Sequence, residues 1–144
     1  MVGRDYRDEP TGGEMDDALS MLGTEHKDQN KPTVLEVALR VQSDFRQCLA
    51  PLRVTPLQAG VILYLYRQRE AQMTETAVGV GVAGPTLSVA VRPLVRKRWV
   101  TSHRTPDDRR VVYVRLTQRG EVLAGRIIKR IQDVRHNLIS IKEA

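Results

Sequence analysis

Apolar side chains recur at helical spacing from Val34 onward. Val34, Ala38, Val41, Phe45, Cys48 and Leu52 are separated by 4, 3, 4, 3 and 4 residues, one stripe on a helix that ends near Pro51. Thr33-Val34-Leu35-Glu36 has the form of a capping box at its start, hydroxyl and carboxylate each serving a free amide. A second helix opens at Thr55-Pro56, where Thr is the N-cap and the missing N–H of proline costs nothing. Its residues through Tyr66 are apolar nearly all round, which predicts the buried centre of the domain. A short helix follows over about Glu75 to Val80, weakened by Gly79 and Gly81. After Ala83-Gly84, Pro85 opens another that runs to about Arg98. Leu87, Val91, Leu94 and Val95 form its inward face; Thr86, Val89, Arg92, Arg96 and Lys97 lie outside it. Pro93 removes one backbone hydrogen bond there and predicts a kink or local loosening.

The period then changes from helical to two. Trp99 to Arg104 and Val111 to Leu116 read as strands, the second setting Val112, Val114 and Leu116 against Val111, Tyr113 and Arg115. Between them, Thr105-Pro106-Asp107-Asp108-Arg109-Arg110 supplies proline to set φ and aspartate to bind the backbone of a turn. The result is a hairpin with a basic tip. Thr117 caps a last helix in which Leu123, Ile127, Ile131, Val134, Leu138 and Ile141 repeat at spacings of 4, 4, 3, 4 and 3. So regular a stripe predicts a helix–helix seam rather than packing against its own domain.

Two helices joined by a tight turn and followed by a basic hairpin make a winged helix-turn-helix, a mainly α (α+β) fold. A helix fits the major groove of duplex DNA and offers its first residues to base edges, while the wing reaches phosphates or the minor groove. The helix-turn-helix is expected over about residues 73–98 and the wing over about 99–116. These belong to one domain spanning 32–144. Residues 1–31 are rich in Asp, Glu, Gly and Asn and are expected to be a largely disordered arm, with one or two helical turns available at Asp16 to Leu22.

Charge sharpens this picture. The net charge is +6, but residues 1–31 hold four basic and eight acidic side chains, a net of −4, and the remainder holds +10. Nine basic residues in 84–120 face only Asp107 and Asp108. So concentrated a charge suggests a polyanion, each neutralised phosphate releasing counterions, although a solvated basic face has the same composition.

Little else in the 144 residues carries chemistry. One cysteine excludes an intrachain disulfide framework and points to a reducing cytoplasm; three scattered histidines make a metal site unexpected. No carboxylate pair, Ser/His/Asp order or phosphate-binding glycine loop is present, and Gly79-Val80-Gly81 lacks the preceding strand a dinucleotide motif needs. An enzyme is not expected, nor a cofactor. No apolar run is long enough for a membrane helix, and MVGRDYRDEP has no signal-peptide core. Cys48, late on the first helix and on its apolar stripe, reads as a buried, inert thiol rather than a redox sensor. His103 is placed either to donate to a phosphate or simply to sit in a strand; Tyr64, Tyr66, Trp99 and Tyr113 are expected in the core or subunit contacts.

Three stretches resemble the multiple-antibiotic-resistance regulator (MarR) family of winged-helix transcription factors. They are Val54-Thr55-Pro56-Leu57-Gln58-Ala59, then Glu75 to Val82 followed by Pro85-Thr86-Leu87-Ser88, and then Asp108-Arg109-Arg110, five residues, and Leu116-Thr117-Gln118-Arg119-Gly120. The last fits the wing pattern D-x-R-x5-L-T-x2-G. The resemblance implies a homodimer on a pseudo-palindromic double-stranded DNA operator, usually a repressor, often released by a small-molecule effector. It implies that Arg110 reaches the minor groove with Asp108 beside it, and that Thr86 and Ser88 face the major groove. Val89, Arg92, Arg104 and Arg109 complete the expected DNA-binding set. Val89 stands where many members are basic, Thr76 where they carry Leu, and Arg98 where they carry Gly.

The resemblance also implies a further terminal helix that the sequence to Ala144 does not supply. The dimer is therefore expected to rest on the helices over about 33–50 and 118–141, through Val34, Val41, Phe45, Leu123, Ile127, Ile131, Val134 and Leu138. The alternative to DNA readout is a winged helix used as a protein–protein interaction module. The outward face of its second helix would then be more apolar, and Val89 alone leans that way.

Overall fold

The computed structural model describes residues 30–143, the last nine by backbone alone. Most of the acidic arm, including Asp16 to Leu22, and the side chains of Leu138 and Ile141 lie outside this description. By internal contacts the chain divides into two units, residues 1–37 and 38–144.

Among the described residues five helices and three short strands follow one another: α1 (Val34–Leu49), a 3-10 turn (Ala50–Leu52), α2 (Pro56–Gln68), β1 (Glu70–Gln72), α3 (Met73–Val80), α4 (Gly84–Arg96), β2 (Val100–Arg104), β3 (Val112–Leu116) and α5 (Gln118–Glu143). Local chemistry sets most of the boundaries. At the head of α1 the Glu36 carboxylate accepts from the Thr33 backbone N–H at 2.6 Å, and Thr33 Oγ1 accepts from the Glu36 N–H at 3.3 Å. Thr55 and Gln58 form the same reciprocal box at the head of α2, at 3.1 and 3.0 Å. Gln58 does more than cap, since its Nε2 donates to the Ala90 carbonyl at 3.3 Å and fastens α2 to α4. No single helix among the described residues is long and apolar enough to cross a membrane.

Within residues 38–144, α2 is the hub, with Ala59, Val61, Ile62 and Leu65 buried. Leu49, Leu87, Leu94, Val100, Val114 and Ile127 close around it from the other elements. Each such side chain contributes about 1.5–3 kcal/mol of burial, set against the entropy of ordering the chain. The sheet is antiparallel in the order β1-β3-β2, with Ala71 opposite Val114 and His103 opposite Tyr113. Strand β1 is absent from the sequence expectation. Three residues are too few to show alternation, and they are extended because β3 offers an edge. It also moves the start of α3 two residues earlier than expected, to Met73.

The stripe on α5 needs a correction. Leu123 and Ile127 were expected in a seam between chains, but both lie in the core that α5 builds against α2, and Val134 is buried in the single chain as well. Ile131 and Phe45 are partly buried and packed on the same core. Helix α5 leaves β3 already clamped to the domain, so its first apolar turns are consumed locally. The amino-terminal turn of α1 has the opposite fate, for Val34 is 87% exposed and Leu35 and Val37 are exposed as well.

Candidate nucleic-acid interface

The helix-turn-helix is α3, a turn and α4. Gly81 takes φ of 75°, and its N–H and that of Val82 return to the carbonyls of Val78 and Ala77, so the chain bends by 104° between α3 and α4. Glycine is needed at position 79 for a different reason: a Cβ there would run into the Tyr64 ring, which lets α3 lie close on α2. Thr76, where relatives are expected to carry Leu, is fully buried and donates its hydroxyl to the Gln72 carbonyl at 2.8 Å, leaving no orphaned polar atom.

Helix α4 is held by Leu87, Val91 and Leu94, all buried, and by the bond from Gln58. Its opposite face presents Thr86, Val89 and Arg92 to solvent, with Ser88 half-buried beside them. Val95, expected inward, lies on the exposed side, because the helix turns it past the edge of the core that Leu94 fills. The helix continues through Pro93 to Arg96.

The hairpin tip is organised by its own polar groups. Asp108 Oδ1 accepts from the Arg110 backbone N–H at 3.0 Å and from its Nε at 3.2 Å. The Arg110 side chain is 92% exposed, so this pair adds little stability and acts by aiming the guanidinium. Arg104 donates from Nη1 to the Arg109 carbonyl at 2.8 Å, and Thr105 Oγ1 to the Asp108 carbonyl at 3.3 Å. Of the expected arginines, Arg104 therefore braces the tip, while Arg109 and Arg110 project from it.

The base of the wing is locked to α5. Thr117 Oγ1 donates to the Arg98 carbonyl at 2.6 Å and accepts from the Gly120 N–H at 3.1 Å, while its own N–H donates to the Trp99 carbonyl at 3.0 Å. A Cβ on Gly120 would strike that same Trp99 carbonyl, so the wing motif's threonine and glycine are both required for α5 to pass this close. Arg98, at the position where glycine is usual, takes φ of 59°. The backbone demand is retained and the residue that meets it cheaply is not.

Several contacts of the wing were not legible in the sequence. His103 and Tyr113 stack with ring centroids 5.5 Å apart, and His103 Nε2 lies 3.9 Å from the Glu70 carboxylate. Strand pairing read across the hairpin would have found the first; the second needs β1. Cys48 is partly buried, and burial pushes its thiol up, with Arg130 opposing and Asp133 and Asp44 adding to the rise. That is the direction of an unreactive thiol.

The order of elements, the three-stranded sheet and the exposed face of α4 beside a basic wing define a winged-helix protein of the MarR type. The chain belongs to the SarA/Rot family of transcriptional regulators, whose model matches residues 45–127. It is similar to a MarR mutant from E. coli complexed with operator DNA, at 25% identity over 71% of this chain and 74% of that one, with a TM-score of 0.65. The S. aureus MepR–DNA complex superposes with a TM-score of 0.69 at 22% identity, over 76% of this chain and 85% of that one. BpsR of Bordetella bronchiseptica, whose DNA binding is regulated by 6-hydroxynicotinic acid, gives 0.66 at 20% identity, over 69% and 76%. No curated protein matches the sequence.

Proposed function

We propose that the protein is a sequence-specific, double-stranded DNA-binding repressor that acts as a homodimer on a pseudo-palindromic operator and is released by a small-molecule effector. The observation that carries this reading is the presence of two exposed surfaces within the unit of residues 38–144. One is the opening of α4, with Thr86, Val89 and Arg92 exposed and Ser88 half-buried; the other is the wing, whose Arg110 is exposed and aimed by Asp108. In the complex, α4 enters the major groove, where the two hydroxyls meet base edges and Val89 meets a thymine methyl. Arg110 enters the flanking minor groove, whose narrow walls concentrate negative potential. Arg104 and Arg109 neutralise phosphates, so affinity falls with salt.

A two-fold dimer would place two such units about one helical turn apart. The exposed apolar start of α1, with Val34 leading, supports an association surface there; Val41 and Phe45 continue the same helix. Leu138 remains a candidate on α5.

The test is selection of random duplexes by the purified protein near physiological salt. Enrichment of an inverted repeat with half-sites about one turn apart is expected. Arg110→Ala is expected to weaken binding to that site by about 1–3 kcal/mol with an unchanged melting curve. Absence of any enriched sequence, with the protein folded, overturns the reading in favour of a winged helix that binds protein.

A further inference from the structure

A cleft of about 740 Å³ opens where the α1–α2 junction, the end of α4 and the first turns of α5 meet. Six cations line it: Arg53, Arg96, Lys97, Arg98, Arg119 and Arg126. Among the described residues no carboxylate lines it, and none of these six forms an ion pair. Its remaining walls are apolar, from Leu52, Trp99, Val122 and Leu123. None of the residues assigned to DNA lies in it, and Arg96 stands about 15 Å along the α4 axis from Thr86.

Like charges drawn together around an apolar floor repel one another, and the backbone adds to the cost. Arg53 and Arg98, two of the three described non-glycine residues with positive φ, hold left-handed conformations at the rim of this cleft. Glycine would adopt either without strain, so the strain is retained for the side chain. Lys97 is already committed, its Nζ donating to the Arg53 carbonyl at 3.2 Å and lying 4.8 Å from the Trp99 ring centroid. Five guanidiniums remain, each able to chelate an oxyanion in a bidentate fork.

We propose that this cleft binds a small molecule carrying two or more anionic groups on a compact apolar body, a phosphorylated or polycarboxylate compound. The count of guanidiniums exceeds what a singly charged ligand would engage, and the walls suit a carbon frame. The site is independent of the DNA reading, since it involves neither the opening of α4 nor the wing tip.

Trp99 is the chain's single tryptophan and lines the cleft, so its fluorescence reports occupancy directly. The full-length protein is titrated with pyrophosphate, with citrate, and with sodium chloride at matched ionic strength. A saturable change in Trp99 emission is expected with one or both polyanions and not with chloride. Response to pyrophosphate alone assigns a phosphorylated ligand, and response to citrate alone a polycarboxylate. Arg119→Gln with Arg126→Gln is expected to weaken the response about tenfold or more, because two charge-assisted contacts are lost. Arg67→Gln with Arg115→Gln, which removes the same charge outside the cleft, is expected to leave it unchanged. Both arginines of the first pair are exposed; should the pair impair folding, Arg126→Gln alone serves. Equal weakening in both variants, or a chloride response of the same size, overturns the proposal. So does a response to a mixed-sequence duplex, abolished in the first variant, with none to either small anion, which would make the cleft a track for DNA backbone.

Discussion

Val34, at the start of α1, is 87% exposed, while Ile127, in the third turn of α5, is completely buried, although both belong to apolar stripes of the same helical period. The difference lies in what each helix is tied to. Helix α5 emerges from β3 through Thr117, whose three hydrogen bonds to Arg98, Trp99 and Gly120 press its first turns onto the domain. Helix α1 starts from the Thr33–Glu36 capping box, with Val34, Leu35 and Val37 exposed, and reaches the core only at its far end, with Leu49. A periodic apolar stripe states which face of a helix avoids water. It does not state which surface will cover that face.

Four variants would break or sharpen this contrast. The largest effect is expected for Ile127→Ala, which opens a cavity in the core and should cost about 2–5 kcal/mol in urea denaturation. A loss below about 1 kcal/mol would mean that α5 is no more anchored than α1. Gly120→Ala should cost about 1–3 kcal/mol, because its methyl group meets the Trp99 carbonyl and α5 must shift away from the wing. Thermal denaturation should show it, and an unchanged midpoint would remove the close approach from the account.

Arg98→Gly should go the other way. Relief of the left-handed conformation exceeds the added chain entropy, and a gain of about 0.5–1 kcal/mol is expected. The same variant should weaken polyanion binding if the cleft works as proposed, so stability and ligand response would move in opposite directions. The smallest effect on folding is expected at α1. Val34→Ser with Leu35→Ser should change stability by no more than about 0.5 kcal/mol, since neither side chain is buried. In sedimentation, however, this variant should shift towards monomer. A double variant that still sediments as wild type would move the proposed dimer surface off the start of α1.

The legible parts of the fold were those written within one or two turns of chain. The Thr33–Glu36 box, Thr55-Pro56 and the alternation of Val112, Val114 and Leu116 identified their elements because capping and side-chain period are local properties. The site was legible in the same way. Thr86, Val89 and Arg92 fall opposite Leu87, Val91 and Leu94 by helical geometry alone, and the Asp108–Arg110 turn is closed by its own side chain. Val95 was misplaced because it sits at the margin of that arc, where the shape of the neighbouring core decides burial.

The sequence by itself thus determined a basic winged helix, its order of elements and the face its second helix would show, since local hydrogen bonding and periodicity leave few other solutions. Only the tertiary structure decided that Glu70–Gln72 would be a strand, that Leu123 and Ile127 would be covered by their own chain, and that arginines from positions 53, 98 and 126 would meet around one cleft. Each of these depends on a partner distant along the chain, and the path that brings such partners together is set by the packing of the whole core.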